Sequence, residues 1–400
     1  TFKALTSYAQ VRFTSMREYS IGKRLVEGYL HQPYSWFLNR HSADLGKTIL
    51  SEVGLIVNKG FGSMINFISQ CAVTISLLVL LILVDIKLTF IVFLTLGAAY
   101  GLMYKFSQNL VNQIGIKRLK ANEWRFTILN EAFGAFKDVK VGGLEENYVK
   151  RFAVPAKTLA HQSALLSIIS QFPRFALEAV AFGGIVLVVL YLMTKSDGIM
   201  SVMPLIALYA FAGYRLMPAL QKIYVSLTEL RVVGPSLDNI YDDLVNLSKN
   251  SKNDDINLLH FNKSISLKNV NYNYPNASKT ALKNININIS AQTTVGLVGA
   301  TGSGKTTTAD IILSLLEPQK GTIEVDDIII NNHNRRAWQN NIGYVPQEIF
   351  LSDDTISANI AFGVDPKKID INAVEHASKI ANLHDFVINE LPLKYQTTVG

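Results

Sequence analysis

Four long apolar segments dominate the first half of the chain. They span about residues 64–84, 88–104, 175–193 and 199–218, and each approaches the ~20 residues that a helix needs to cross a hydrocarbon core. Only residues 85–87 separate the first two segments, and residues 194–198 separate the last two. The pattern therefore predicts two membrane-spanning hairpins whose short turns lie on the same side of the membrane.

Basic residues are concentrated away from these turns. Residues 1–60 contain eight Lys and Arg and residues 105–157 contain ten, whereas the two turns contain only Lys87 and Lys195. Because basic loops remain in the cytoplasm, both long segments are predicted to be cytoplasmic, and the region after the fourth span with them.

The apolar spacing remains helical between the two hairpins, from residue 105 to residue 157. The helices are therefore expected to extend well beyond the bilayer, with a cytoplasmic turn at Gly142-Gly143. Residues 247–257 have the polar composition of a linker. We place the end of the membrane domain, 1–246, immediately before it.

After this linker the periodicity changes from helical to strand-like. Apolar and polar residues alternate over 265–270 and 285–289, as in half-exposed strands. Residues 294–298 are instead apolar around a single glycine, as in a buried central strand. The second domain, 258–400, is thus predicted to mix strands and helices.

Composition agrees with a membrane protein. The chain is 49% hydrophobic, and residues 1–250 hold 25 Lys and Arg against 16 Asp and Glu. These basic residues flank apolar segments and are not interleaved with aromatic residues, which argues against nucleic-acid binding. The single cysteine, Cys71, excludes a disulfide within the chain and a cysteine-based metal site.

One motif carries a specific chemistry. The octapeptide Gly299-Ala300-Thr301-Gly302-Ser303-Gly304-Lys305-Thr306 fits the phosphate-binding pattern G-x-x-x-x-G-K-[ST], between the predicted buried strand and a helix beginning near Thr307. Its backbone N–H groups would surround phosphates, Lys305 would reach the β- and γ-phosphates, and Thr306 would ligate Mg²⁺. The predicted fold class is an all-α transmembrane helical bundle followed by an α/β P-loop NTPase domain.

Further segments resemble ABC transporters. Tyr274, 25 residues before the P-loop, is similar to the residue that stacks on adenine in that family, and Tyr272 is expected to face the core. Gln347, in Val345-Pro346-Gln347, resembles the family's glutamine loop, which ligates Mg²⁺. With the P-loop and Thr307, these residues form the expected site for ATP and Mg²⁺. Residues 32–37 and 145–152 resemble the turns through which exporter helices press on the ATPase domain.

Some motifs that the resemblance to ABC transporters leads us to expect are missing from residues 1–400. No apolar strand ending in Asp-Glu follows Lys305, since neither 323–327 nor 350–354 fits, and His376 and His384 are expected to be surface residues. The family's signature motif is absent, and four spans are visible where exporter halves have six. We therefore expect an internal fragment that binds ATP weakly without turnover, the catalytic Glu and switch His lying beyond Gly400.

Two arginines point to a transported substrate. Arg174 and Arg215 lie at or within apolar segments that are similar to stretches of bacterial lipid-linked oligosaccharide flippases. A guanidinium bonds two phosphate oxygens at once, so both are candidate contacts for a lipid or glycolipid substrate. An ion pair with Glu178 is the alternative for Arg174.

The resemblance implies a multi-pass half-transporter in the bacterial inner membrane, with a cytoplasmic ATP-binding domain and a dimer of two halves. A homodimer is the expectation, and a heterodimer remains open. A multidrug or peptide exporter and a non-hydrolysing membrane-anchored nucleotide sensor are the alternatives. An importer is disfavoured because importers usually carry their membrane and ATPase parts on separate chains.

Overall fold

The computed structural model describes residues 2–40, 42–84, 86–194, 199–247, 259–275, 277, 279–347 and 349–399. For parts of 87–96 and for most of 176–210 it describes the backbone alone. The predicted turn residue Asp85, the turn at 195–198 and nearly all of the predicted linker lie outside the described residues.

Long helices form the first part of the chain. They are α1 (Phe2–Leu30), α2 (Tyr34–Phe37), α3 (Ser42–Lys47), α4 (Val53–Leu55), α5 (Gly62–Val84), α6 (Ile86–Gly134), α7 (Phe136–Val141), α8 (Glu145–Thr194) and α9 (Ile199–Asn246). Two π-helical segments, Thr48–Glu52 and Ile56–Phe61, join α3, α4 and α5 into one continuous helix.

One helix has the length and composition of the predicted first span. Among the described residues, Ala43–Val84 is the one helix that is long and apolar enough to cross a membrane, with a mean hydropathy of 2.6 over its most apolar window, of which only 11% is buried. The segments 88–104, 175–193 and 199–218 lie in α6, α8 and α9, where many side chains are not described.

The helices extend far beyond a bilayer, as predicted. Helices α6, α8 and α9 contain 49, 50 and 48 residues, which at 1.5 Å per residue gives about 70–75 Å each, against about 30 Å for a hydrocarbon core. The predicted turn at Gly142-Gly143 is also confirmed, because Gly143 has φ +61° and Leu144 N donates to Val139 O at 2.9 Å.

Apolar clusters join these helices outside the predicted spans. Leu25 and Tyr29 of α1 pack with Val53, Ile56 and Val57 and with Val233 and Ile240 of α9. At a second cluster, α6 and α9 approach so closely that a Cβ on Gly115 would lie 2.8 Å from Val232 O. Helix packing beyond the membrane therefore requires a glycine at this point of α6.

A buried carboxylate links the first π-helical segment to α6 and α9. Glu52, only 4% exposed, accepts hydrogen bonds from Asn122 Nδ2 at 2.8 Å and Ser236 Oγ at 2.6 Å. Burial lowers the pKa of the Arg118 guanidinium, and the negative charge of Glu52 offsets part of that effect. Glu52 therefore has two hydrogen-bond donors and a nearby cation, as a buried carboxylate needs.

A second polar contact fixes the far end of α9. Asp243 accepts from Tyr29 Oη at 2.6 Å through one oxygen and from Arg40 Nη1 at 3.0 Å through the other. The Arg40 guanidinium also lies 4.3 Å from the centre of the Trp36 ring. Burial and the hydrogen bond to Asp243 raise the pKa of Tyr29. The end of α9 is thus tied to α1 and to the turn around α2.

The second part of the chain contains short strands and helices. They are β1 (Ser264–Tyr272), β2 (Leu282–Ser290), α10 (Lys305–Ile312), β3 (Lys320–Val325), β4 (Ile328–Ile329), α11 (Arg335–Gln339), β5 (Asp354–Thr355), α12 (Ile356–Ile360), α13 (Ile371–Ile380), α14 (His384–Glu390) and β6 (Thr398–Val399), with 3-10 turns at Pro366–Lys368 and Lys394–Gln396. One sheet has the order β2-β1-β3-β4, and β5 pairs antiparallel with β6.

The described residues form two compact units. One comprises residues 1–254, 270–284 and 298–320, and the other comprises residues 255–269, 285–297 and 321–400. Strands β1 and β2 contribute residues to both units, so this division does not correspond to the domain boundary that we place at 247–257. That boundary stays a prediction.

One prediction for this region is wrong. Residues 294–298 form no strand, and Val298 is 96% exposed. The sheet β2-β1-β3-β4 does not include this segment, so the segment lacks the hydrogen-bonded neighbours that a central strand needs. His384 is partly buried, and its Nδ1 lies 2.8 Å from Tyr395 Oη. His376 is exposed, as expected.

Asp326 anchors the start of β1. It lies in the tight turn between β3 and β4, and its carboxylate accepts from the backbone N–H groups of Asn262, Lys263 and Ser264 at 2.6, 2.7 and 2.9 Å. Partial burial raises the pKa of this carboxyl, but the three donors together reverse the effect, so that its pKa lies below the usual value. The carboxylate of Asp326 is thus occupied in joining the β3–β4 turn to the start of β1.

This shift predicts a pH dependence of stability. A carboxyl whose pKa is lowered on folding stabilises the fold above its unfolded pKa of about 3.9 and loses that contribution as the pH falls towards the folded pKa. We expect Asp326→Asn to flatten the decline of the unfolding midpoint between about pH 5 and pH 3, measured by urea denaturation. Asp327→Asn, in the same turn, is the matched control. Equal slopes in all three proteins would contradict the assignment.

Candidate nucleotide-binding site

The predicted P-loop folds into a turn of left-handed glycines ahead of α10. Gly302 and Gly304 have φ of +78° and +91°. A Cβ on Gly304 would lie 2.6 Å from Leu282 Cδ2 and 2.9 Å from Ala281 O, and a Cβ on Gly299 would lie 2.7 Å from Ser303 Oγ. At Gly304 both the backbone conformation and the close packing therefore require glycine, whereas at Gly302 the backbone conformation alone favours it.

The ammonium group of Lys305 lies within this loop. Lys305 Nζ donates to the carbonyl oxygens of Gly299 and Ala300 at 2.8 and 2.9 Å, and Ser303 N donates to Ala300 O at 3.1 Å. The loop is thus closed around a positive charge. Phosphate oxygens that entered the loop would meet that charge together with backbone N–H groups.

Helix α10 begins at Lys305 and directs its free N–H groups towards the loop. Thr308 is the first residue whose N–H is used within the helix, since it donates to Gly304 O at 2.8 Å. The N–H groups of residues 305–307 have no partner within α10 and carry the partial positive charge of the helix terminus. Thr306 is exposed at this first turn, where its hydroxyl is available to a cation.

Tyr274 is brought to the same helix. Its phenol oxygen lies 3.1 Å from Thr307 Oγ1, and its ring is half-buried beside that of Tyr272, with centroids 5.2 Å apart and planes at 88°. Tyr272 is buried, as predicted. Thr307 is buried as well, so its hydroxyl positions Tyr274 and only its backbone N–H is left for a nucleotide. This contact was not foreseen from the sequence.

Gln347 lies in the compact unit that includes residues 321–400, at an exposed bend. Its predicted role towards Mg²⁺ stays a prediction. In the described part of the chain, no cluster of three His, Cys, Asp or Glu side chains could hold a metal. Of the two predicted Mg²⁺ ligands, Thr306 lies in the P-loop segment itself, and the phosphates of a bound nucleotide would supply further oxygen ligands.

Family models match both parts of the chain. Residues 282–397 match the model described as ABC transporter, and residues 2–219 match the ABC transporter transmembrane region. The chain belongs to the ABC transporter family. Because the membrane region and the ATP-binding region lie on one chain, it has the organisation of an exporter-type half-transporter.

Curated relatives of this ABC transporter include flippases. An ATP-dependent lipid A-core flippase of Cupriavidus metallidurans is 25% identical over 383 residues, covering 94% of this chain and 63% of the relative. A second such flippase, of Wigglesworthia glossinidia brevipalpis, is 24% identical over 92% of this chain. Mouse ATP-binding cassette sub-family B member 5 is 40% identical, but over only 34% of this chain. The chain spans about 63% of the length of the flippases.

A solved structure shows the same fold. A bacterial Atm1-family ABC exporter with ATP bound superimposes with a TM-score of 0.82 and 19% identity, covering all of this chain and 69% of that one. This likeness confirms the predicted fold class, a helical membrane region followed by a smaller ABC ATPase domain.

The two candidate substrate residues of the ABC transporter have different surroundings. Arg174 Nε donates to Glu178 Oε1 at 2.7 Å, so the predicted alternative of an ion pair is present. Arg174 also lines a cavity of about 410 Å³ between α5, α8 and α9. Arg215 is exposed on α9 and does not line that cavity. The structure does not bring the two arginines into one site.

Proposed function

We propose that this ABC transporter uses ATP to move a lipid across the bacterial inner membrane. The observation that carries the proposal is the Lys305-filled P-loop, which lies on one chain with the membrane helices. The substrate class is supported by the lipid A-core flippases, whose similarity extends over both regions. A lipid-linked oligosaccharide or another glycolipid is the substrate that we propose.

The nucleotide chemistry follows from the residues of the loop. Lys305 and the N–H groups at the start of α10 would neutralise the β- and γ-phosphates, and Thr306 with Gln347 would hold Mg²⁺. Tyr274, fixed by Thr307, would offer its ring to the adenine. Two such chains would form the working transporter, a homodimer in our proposal, with their ATP-binding domains in the cytoplasm.

Arg215 is the proposed contact for the substrate's phosphate in the translocation path, and Arg174 is a weaker candidate because Glu178 already accepts from it. A charged group within an apolar membrane segment costs free energy, and such a group is therefore a functional residue by default. Its exposed position on α9 leaves the planar guanidinium accessible to two phosphate oxygens at once.

The test is lipid transport by the full-length protein in proteoliposomes. We expect Arg215→Ala to slow ATP-dependent flipping of a fluorescent phosphate-bearing glycolipid about tenfold, the loss of a charge-assisted hydrogen bond, while basal ATPase activity is retained. Arg24→Ala, at an exposed arginine of α1, is the control. Wild-type flipping by Arg215→Ala would refute this role, and transport of a drug or peptide but of no lipid would refute the substrate class.

A further inference from the structure

Glu52 joins three helices outside the predicted spans. It ends the first π-helical segment, about twelve residues, or about 18 Å, ahead of the first span. One oxygen of its carboxylate accepts from Asn122 Nδ2 of α6 at 2.8 Å, and the other accepts from Ser236 Oγ of α9 at 2.6 Å. All three side chains are buried. A single carboxylate therefore links the helix Ala43–Val84 to α6 and to α9.

The amide of Asn122 is used in full at this junction. Its nitrogen also donates to Ser51 Oγ at 3.0 Å, so both N–H bonds of the amide have acceptors. Its oxygen accepts from Arg125 Nη1 at 3.4 Å. Ser51 and Glu52 belong to a π-helical segment, a rare geometry that occurs frequently at functional sites. The junction is thus a polar network built on a rare type of helical turn.

Apolar side chains pack around the junction. Val53, Ile56 and Val57 cluster with Val233 and Ile240 of α9. A second cluster, of valine, isoleucine and leucine residues, joins α6 to α9 further along the same helices. Because similar residues repeat along these contacts, apolar packing would be largely retained if one helix slid along another by a turn. The apolar contacts hold the helices together but define their register weakly.

A buried carboxylate defines register better than it stabilises a fold. Removing the carboxylate from water costs free energy, and replacing such a group and its partners by apolar residues of similar volume is often neutral or stabilising. The best-attested use of a buried polar group is to select one register of packed helices. The two oxygens of Glu52 bond to two different helices. A slide of either helix by one residue, about 1.5 Å, would therefore strain one of these short bonds.

We infer that Glu52 is a positioning residue that fixes the register of α6 and α9 outside the membrane. Helix α9 leads from the fourth predicted span towards the region that matches the ABC transporter model from residue 282, and α6 leads from the second span to the turn at Gly142-Gly143. With the register fixed, a movement at one end of these helices reaches the other end without being lost in sliding. This consequence for transport rests on the proposed function, whereas the register itself does not.

Replacing the whole junction by apolar residues separates register from stability. The triple variant carries Glu52→Leu, Asn122→Leu and Ser236→Ala. We expect its thermal midpoint, measured by scanning fluorimetry of the full-length protein in nanodiscs, to equal or exceed that of the wild type, since the carboxylate and its two donors are removed together. If Glu52 served stability alone, the midpoint would fall by several degrees, and the inference would be overturned.

Pulsed electron paramagnetic resonance measures the register. Spin labels are attached at Lys120→Cys of α6 and Asn239→Cys of α9, both exposed positions, in a Cys71→Ser background. Mixing with an excess of unlabelled protein leaves only the distances within one chain. We expect a single distance with the native junction and a second population, displaced by up to about one helical turn of 5.4 Å, in the triple variant. Identical distributions would overturn the inference.

Transport per ATP hydrolysed measures the functional consequence. We expect the triple variant to flip about tenfold less of the fluorescent glycolipid per ATP, the scale of one lost hydrogen bond to a charged group. Glu52→Gln should keep the wild-type ratio, because its amide can accept from one helix and donate to the other. The matched control is Thr228→Val, which removes a buried hydroxyl of α9 that donates to Tyr224 O of the same helix at 2.9 Å.

The remaining outcomes are also decisive. If the triple variant does not fold, Ser236→Ala removes the bond to α9 alone and should give the second distance, and its absence would contradict the inference. An unchanged transport ratio in a variant with altered register would overturn the positioning role. If the wild type moves no glycolipid with ATP, the proposed function fails, and the distance measurement still decides whether Glu52 fixes the register.

Discussion

Lys305→Ala should weaken ATP binding by the full-length transporter about tenfold to a hundredfold. The substitution removes the only side-chain cation within the P-loop, and a hydrogen bond to a charged group contributes about 1.5–3 kcal/mol. It also removes the two bonds, to Gly299 O and Ala300 O, that close the loop. The expected loss of ATP affinity therefore has two causes, a missing contact with the phosphates and a less ordered loop.

Titration with a fluorescent ATP analogue in the presence of Mg²⁺ measures this effect. Lys320→Ala, at an exposed lysine that begins β3, is the control and should bind like the wild type. An affinity within twofold of the wild type for Lys305→Ala would mean that the loop does not bind the phosphates, and the proposed nucleotide site would be wrong.

Gly321→Ala should strongly destabilise the ATP-binding region. Gly321 has φ +84°, and a Cβ there would lie well inside contact distance of the carbonyl oxygens of Lys268 and Asn269. The left-handed conformation costs about 1–3 kcal/mol for a residue with a Cβ, and overpacking adds about the same. The sum is a large part of the 5–15 kcal/mol that stabilises a typical domain.

Gly363→Ala is the matched control, because Gly363 has φ +81° but open space around its Cβ position. Gly363→Ala therefore incurs the cost of a left-handed backbone conformation without a steric clash. We expect the thermal midpoint of Gly321→Ala to fall well below that of Gly363→Ala in differential scanning fluorimetry. Equal midpoints would show that β1 moves aside to accommodate the methyl group.

Local signals made the P-loop predictable. Phosphate binding requires glycines at fixed spacing, a lysine and a helix start, and all of these lie within nine consecutive residues. The helix lengths and the turn at Gly142-Gly143 were predictable for the same reason, since apolar periodicity and glycine pairs act over short distances. Long-range contacts gave no such signal.

Contacts between distant residues account for what was missed. Ser236 bonds Glu52 from 184 positions away, and Tyr274 bonds Thr307 across 33, so no pattern in either segment alone indicates a partner. The π-helical segments around α4 were also not predicted, because their apolar spacing does not differ from that of an α-helix over five or six residues. The strand predicted at 294–298 is absent. Whether an apolar segment becomes a buried strand depends on the strands that pair with it, and the sequence of the segment does not specify those strands.

The length of α6, α8 and α9 has a mechanical consequence. A 30 Å hydrocarbon core leaves about 40 Å of each helix outside it, so each helix would act as a lever arm if it tilted at the membrane surface. A tilt of about 10° displaces the distal end of such an arm by ~7 Å, a distance larger than one helical turn. Small angular changes within the membrane and large displacements beyond its surface would therefore be the same motion, and α9, which is hydrogen-bonded to α1 through Asp243, would transmit it in either direction.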